Sequence, residues 1–251
     1  MQGTSQSLVY SFLFNFKTSA DVYNVGSFNL PNTAGKAGGA CTSTLLKVLN
    51  ENPGPMSWLE LLRKMRVVLN QKGYDQIPQL SASRLLNAHD QFEIVPPSSI
   101  QANGRRRAVL IGINYIGQNG QLSGCHNDVK NIKRYLISHQ GFQESEMLVL
   151  MDDGRHNAPT KKNITDAFTR ICQYSQPGDV VFVHYSGHGG RVRDTSGDEA
   201  DGYDETLIPV DFKRAGHILD DDIFRILVKP MPRDVNVTVL VSYYTYSIAV
   251  L

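Results

Sequence analysis

Residues 180–190 read V-V-F-V-H-Y-S-G-H-G-G, an apolar strand-like run that opens into two histidines, a serine and glycines. Glycine on either side of His188 lets the backbone approach a ligand and predicts an uncovered imidazole at the carboxyl end of a strand, a group and a place suited to proton transfer. His184 precedes the turn and reads as a packed strand residue. Residues 122–129, L-S-G-C-H-N-D-V, put Cys125 at the end of a loop and Asp128 at the opening of a helix. A thiol near a helix N-terminus can have a lowered pKa; a small buried residue in a tight turn is the other reading of Cys125. Cys172 falls on the apolar stripe of a later helix and reads as core. Six of the twelve residues 194–205 are acidic, and Asp211, Asp220, Asp221 and Asp222 follow. Carboxylates gathered without Cys or His suit a hard cation such as calcium. Their spacing is not that of a twelve-residue helix-loop-helix site, so a cation site has to be assembled from separate loops. A solvated acidic loop is the alternative.

These groups need elements to position them. Residues 108–113, 147–151, 180–184 and 235–241 are apolar, β-branched runs that predict strands. Between them, 128–138, 160–175 and 220–228 carry apolar residues at helical spacing, and Thr160 is placed to cap the second. Strand and helix in alternation predict a mostly parallel sheet with helices on both faces, whose ligands sit at the carboxyl ends of the strands. A turn-rich stretch, 96–104, reads as a linker to an N-terminal segment. That segment predicts a strand at 8–14, a glycine-rich loop at 34–41 leading into a short helix at 43–49, and a strand at 92–95. Ser57 and Glu60 form a capping box for a helix that Gly73 ends. The organisation expected is a region 1–96, a linker 97–104 and a region 105–251, the two regions sharing one sheet.

The chain has 251 residues, 41% hydrophobic and 20% charged, enough apolar material for a sizeable core. Lys and Arg number 25 against 24 Asp and Glu, so nothing points to nucleic acid or an anionic membrane as partner. No apolar run approaches the ~20 residues of a membrane-spanning helix. Residues 1–7 lack the basic start of a secretory leader, and three scattered cysteines make neither a disulfide framework nor a zinc site. A reducing, cytoplasmic setting is the expectation.

Residue by residue, 107 to about 240 resembles the large catalytic subunit of metacaspases, caspase-like cysteine peptidases of plants, fungi and protists. The motifs are A-V-L-I-G-I-N-Y, L-S-G-C-H-N-D-V, H-Y-S-G-H-G, D-G-Y-D-E-T-L-I-P-V-D-F and I-L-D-D-D-I, in that order. Residues 17 to about 96 resemble the family's small subunit through T-S-A-D-V, A-G-G-A-C-T-S and P-Q-L-S-A-S-R. The small-subunit region comes first, as in the rearranged type III class. The resemblance implies a caspase-like α/β fold and a calcium-dependent endopeptidase that cuts protein or peptide substrates after Arg or Lys, as a monomer. It implies that His188 is the catalytic histidine and that Asp128 and Ser186 line the pocket for the basic side chain, with Cys125 near it. Asp204, Asp220 and Asp221 match calcium ligands.

One departure bears on activity. Where the family has a pocket aspartate, a small residue and the nucleophilic cysteine followed by H-S-G, this sequence has Ser242, Tyr243 and Tyr244. A phenol of pKa ~10 does not replace a thiol that ionises near neutrality. The expectation is a large-subunit region truncated at its C-terminus, and a chain that as written is inactive. A pseudoenzyme that binds calcium or a protein partner is the alternative, and a residual hydrolase using Cys125 a third.

Overall fold

The computed structural model describes residues 10–17, 30–31, 37–74, 77–82, 87–193 and 203–245. The T-S-A-D-V motif, the start of the glycine-rich loop, the end of P-Q-L-S-A-S-R, the acids between 194 and 201 and the tail after 245 lie outside the described residues.

In the N-terminal segment, β1 (Tyr10–Lys17) is followed by a two-residue pair, β2 (Leu30–Pro31) and β3 (Ala37–Gly38), and by α1 (Ala40–Glu51), α2 (Trp58–Gln71) and β4 (Ile77–Ala82). The expected linker contains a short helix, α3 (Pro97–Gln101), with Ser99 buried. Then come β5 (Arg106–Gly112), α4 (Cys125–Gln140), β6 (Met147–Met151), α5 (Lys161–Tyr174), β7 (Val180–Arg193), β8 (Tyr203–Leu207), α6 (Phe212–Ala215), β9 (Ile218–Leu219), α7 (Asp220–Ile223) and β10 (Asn236–Thr245).

The main sheet runs β4-β1-β10-β7-β5-β6. Every pair along it is parallel except β4 against β1. β8 adds antiparallel to the far half of β7, and β9 pairs with β8. This is the α/β fold with a mostly parallel sheet that strand–helix alternation predicts. The two segments share the sheet, because β1 lies directly on β10. Alternation along the strands sorts the core into two layers. Val109, Ile111, Val181, Val183, Val237 and Val239 pack with Ile164, Phe168 and Ile171 of α5. Ala108, Leu110, Val180, Phe182 and Leu240 pack with Leu61 and Met65 of α2 and with Ile132 and Leu136 of α4. Strands buried on both faces explain the continuous apolar runs.

Local chemistry sets the helix ends. The Ser57 hydroxyl accepts from the Glu60 N–H while Glu60 accepts from the Ser57 N–H, the reciprocal box expected from the sequence. Thr160 caps α5 by accepting from the Asn163 N–H, and Gly141, at φ 66°, ends α4 in the left-handed region.

Four expectations are corrected. β7 does not stop at His184 but continues to Arg193, since β10 and β8 supply backbone partners for the S-G-H-G-G stretch. Residues 92–95 form no strand: the Phe92 N–H bonds to Met56 O, and the ring meets Trp58 edge-on at 4.8 Å. The helix expected at 220–228 is α7 followed by a π-helical turn, Phe224–Val228, without a side-chain cap. The helix around Asp128 begins three residues earlier, at Cys125.

Candidate active site

His188 lies on the second half of β7 and is only 7% exposed, so the imidazole is covered, against the expectation of an open one. The cover comes from the loop after β5. The Tyr115 ring tilts against the imidazole at 4.6 Å, and His188 Nε2 lies 2.6 Å from the Gly120 carbonyl oxygen. A carbonyl only accepts, so Nε2 carries the proton and Nδ1 is the basic nitrogen of the neutral ring. The His188 peptide is held from both sides. Its N–H donates to the Tyr115 hydroxyl at 3.0 Å, and its carbonyl accepts from the Tyr185 hydroxyl at 2.7 Å. Tyr115 in turn donates to Ile208 O at 2.6 Å, and Ile208 N–H donates to the Tyr185 hydroxyl at 3.2 Å. Two phenols thereby brace the backbone under the histidine. Gly187 is glycine for their sake: a Cβ there would stand 2.7 Å from the Tyr185 hydroxyl and 3.1 Å from that of Tyr115.

Tyr115 itself sits at φ 53°, an uncommon conformation for a bulky residue. Asp152, one residue past β6, holds the turn in place. Its carboxylate accepts from the Asn114 N–H at 2.8 Å and the Ile116 N–H at 3.2 Å, and it pairs with His126 Nε2 at 2.6 Å. Burial opposes ionisation of Asp152, but these three donors outweigh it and hold the carboxyl below its ordinary range. Asn114 completes the brace by accepting from the Cys125 N–H at 3.0 Å.

Asp128, in the first turn of α4, is wholly buried. Its Oδ2 accepts from the Ser186 hydroxyl and its Oδ1 from the Gly39 N–H, each at 2.8 Å. Ser242 of β10 borders the same spot and is itself buried. Burial pushes the Asp128 carboxyl up to about 7, against the Ser186 and Gly39 hydrogen bonds that favour the charge. The structure thus brings Asp128, Ser186 and Ser242 together. In the parallel pairing of β7 with β10, Ser242 stands opposite Ser186 and Tyr244 opposite His188.

Cys125 is the first residue of α4 and is buried. Burial, reinforced by the neighbouring Asp128 carboxylate, pushes its thiol well above the ordinary value, the reverse of the lowering expected near a helix N-terminus. Desolvation here outweighs the helix dipole. His184 and Cys172 are packed, as read from the sequence: His184 Nδ1 meets Leu240 O at 3.1 Å, and Cys172 meets Leu227 O at 3.2 Å.

The acids fall at one end of a small antiparallel ladder. Asp204 is buried on β8, paired in register with Val192. Asp220 and Asp221 follow β9 directly, and the Asp221 N–H donates to Asp220 Oδ1 at 3.1 Å. Among the described residues, no three Asp, Glu, His or Cys side chains converge on a metal-holding point.

Comparison with known proteins decides the family. Residues 106–251 match the metacaspase, peptidase C14 domain. This chain belongs to the metacaspases. A metacaspase III c of Phaeodactylum tricornutum is 51% identical over 232 residues, covering 90% of this chain and 68% of the relative. Metacaspase-1B of Neurospora crassa is 49% identical over 142 residues, covering 56% of this chain and 33% of its own length. Metacaspase-1 of Sclerotinia sclerotiorum is 40% identical over 188 residues, covering 68% and 44%. The metacaspase described here therefore spans under half the length of those fungal relatives. A solved protein of Geobacter sulfurreducens superposes with a TM-score of 0.44 at 30% identity over 55% of this chain and 49% of its own. The sheet order and two-sided helix layers are those of a caspase-like α/β fold. Sequence reading missed Tyr115, Tyr185, Gly120, Asp152 and Gly39. The first lies in a motif quoted for the family, but its hydroxyl's partners are seventy or more residues away.

Proposed function

We propose that this metacaspase carries the proton-handling histidine and the basic-side-chain pocket of a cysteine endopeptidase, and that with Tyr244 at the nucleophile position it does not cleave peptides. The observation that carries the reading is the β7–β10 register, with Tyr244 across from His188 and Ser242 across from Ser186. In a peptidase of this class a thiolate attacks the scissile carbonyl, and the histidine accepts the thiol proton and returns it to the leaving amine. His188 is arranged for that exchange through Nδ1, its Nε2 proton being held by Gly120. Position 244 is where the thiol would have to stand. Asp128 is the pocket carboxylate for an Arg or Lys side chain, since a desolvated cation needs such a partner. Substrates would be proteins or peptides with basic residues, met by a monomer in the cytoplasm.

Calcium is the proposed cation. All its donors would be carboxylate oxygens, which suits a hard ion. Asp204, Asp220 and Asp221 would hold it, and its part would be to fix the β8–α7 end of the sheet. Calorimetry with millimolar calcium, together with a thermal shift, tests this; no heat and no shift would dismiss it.

The activity test is purified protein with an arginine-ended fluorogenic peptide in millimolar calcium. The expected result is no turnover above buffer. Replacing residues 242–251 with a D-x-C-H-S-G continuation is expected to give cleavage after Arg or Lys that His188→Ala abolishes. Turnover by the unaltered chain that Cys125→Ala removes would reject the reading, as would a preference of the repaired chain for acidic residues. A non-catalytic pseudoenzyme that binds calcium or a protein partner is the second reading; the buried, poorly ionising Cys125 speaks against a third, a residual hydrolase using that thiol.

A further inference from the structure

Asp128 is covered by a residue from the other segment of the chain, eighty-nine positions away. Gly39 is the N-cap of α1, and its N–H points at Asp128 Oδ1. Its backbone lies at φ −66°, ψ 140°, an extended conformation open to any residue, so glycine is not needed for the turn. It is needed for space: a Cβ on Gly39 would stand 2.4 Å from Asp128 Oδ2 and 3.2 Å from the Ser242 hydroxyl. The neighbour is a carboxylate already held by Ser186, not the loose end of a flexible side chain. The same contact places the N-terminus of α1, with its partial positive charge, against the buried carboxylate.

We propose that Gly39 is a specificity-determining residue of the basic pocket: the α1 N-terminus forms its inner wall, orients the Asp128 carboxylate through the backbone N–H, and keeps free the space a basic side chain must enter to reach it. This rests on the reading of Asp128 as the pocket carboxylate. The N-terminal segment is then part of the recognition site and not merely a support for the sheet. Any side chain at position 39 displaces the carboxylate or narrows the approach to it.

Two measurements on the full chain test the idea. The first is a double-mutant cycle by urea unfolding, with Gly39→Ala and Asp128→Ala singly and together. Coupling on the order of tenfold in the unfolding equilibrium constant is expected, because alanine at 128 removes the atoms a new Cβ would strike. Additive effects would overturn the contact and the proposal with it. The second is calorimetric binding of acetyl-arginine amide, with acetyl-norleucine amide as control. Binding to the unaltered chain that falls tenfold or more in Gly39→Ala, under conditions where the variant is folded by circular dichroism, supports the role. Binding that Gly39→Ala leaves unchanged overturns it while leaving the pocket in place. No arginine-selective binding by the unaltered chain rejects the pocket itself and Gly39's part in specificity, whatever the cycle shows.

Discussion

His184 and Asp128 are both wholly buried, and burial moves them in opposite directions. The His184 imidazole falls to about 4 and the Asp128 carboxyl rises to about 7. Between those values the unfolded chain protonates a histidine that the folded protein keeps neutral, so stability rises with pH. Over the same range the folded protein keeps a proton on Asp128 that the unfolded chain has lost, so stability falls with pH. Each effect is on the order of 3–4 kcal/mol across its window, and the two slopes offset one another from about pH 4.5 to 6.5. Asp128→Asn should leave stability rising with pH in that range, and His184→Gln should leave it falling; urea unfolding at three pH values checks both signs. At the same scale, Cys125 should resist alkylation. Iodoacetamide at pH 7.5 with mass spectrometric mapping should modify it only as fast as the native structure opens, and prompt labelling would contradict its burial.

Among the elements, α2 depends on its first turn. Ser57→Ala removes the hydroxyl that accepts from the Glu60 N–H, leaving the residue-57 N–H bonded to the Glu60 carboxylate, and should cost about 1 kcal/mol, read as a lower urea midpoint with unchanged slope. α2, α5, β5 and β6 were legible in the sequence because their signals are local: a cap, a period of 3.6, a continuous β-branched run. The second half of β7 was not. S-G-H-G-G has the composition of a turn, and only β8 and β10, brought from elsewhere in the chain, make it a strand. The candidate site divides in the same way. His188, Asp128 and Ser186 stand out by type and spacing, and the structure brings Asp128 and Ser186 into contact. The cover over His188 could not be read, because Tyr115 and Gly120 reach it through a turn held by Asp152, and no short motif encodes that. Cys125 misled because a helix N-terminus is visible in sequence and depth of burial is not.

For the molecule as a whole, one strand joins the parts. β10 lies between β1 of the N-terminal segment and β7 of the C-terminal one. The single tryptophan, Trp58, is buried in α2 on the N-terminal side. Its fluorescence should therefore follow the same urea curve as far-UV circular dichroism of the whole chain, as one cooperative unit requires. A separate, earlier Trp58 transition would show that the segments unfold independently.

The position of β10 also matters while the chain is being made. It is the last described strand to leave a ribosome, yet it belongs near the middle of the sheet. β1, whose Tyr10 stands in register with Val237, has no parallel neighbour until more than two hundred further residues have been translated. Until then the nascent N-terminal region carries an open strand edge and the apolar face of α2, both prone to wrong partners. Such distant pairing slows folding, and a cell making this protein would need holding chaperones on the emerging chain for most of its synthesis.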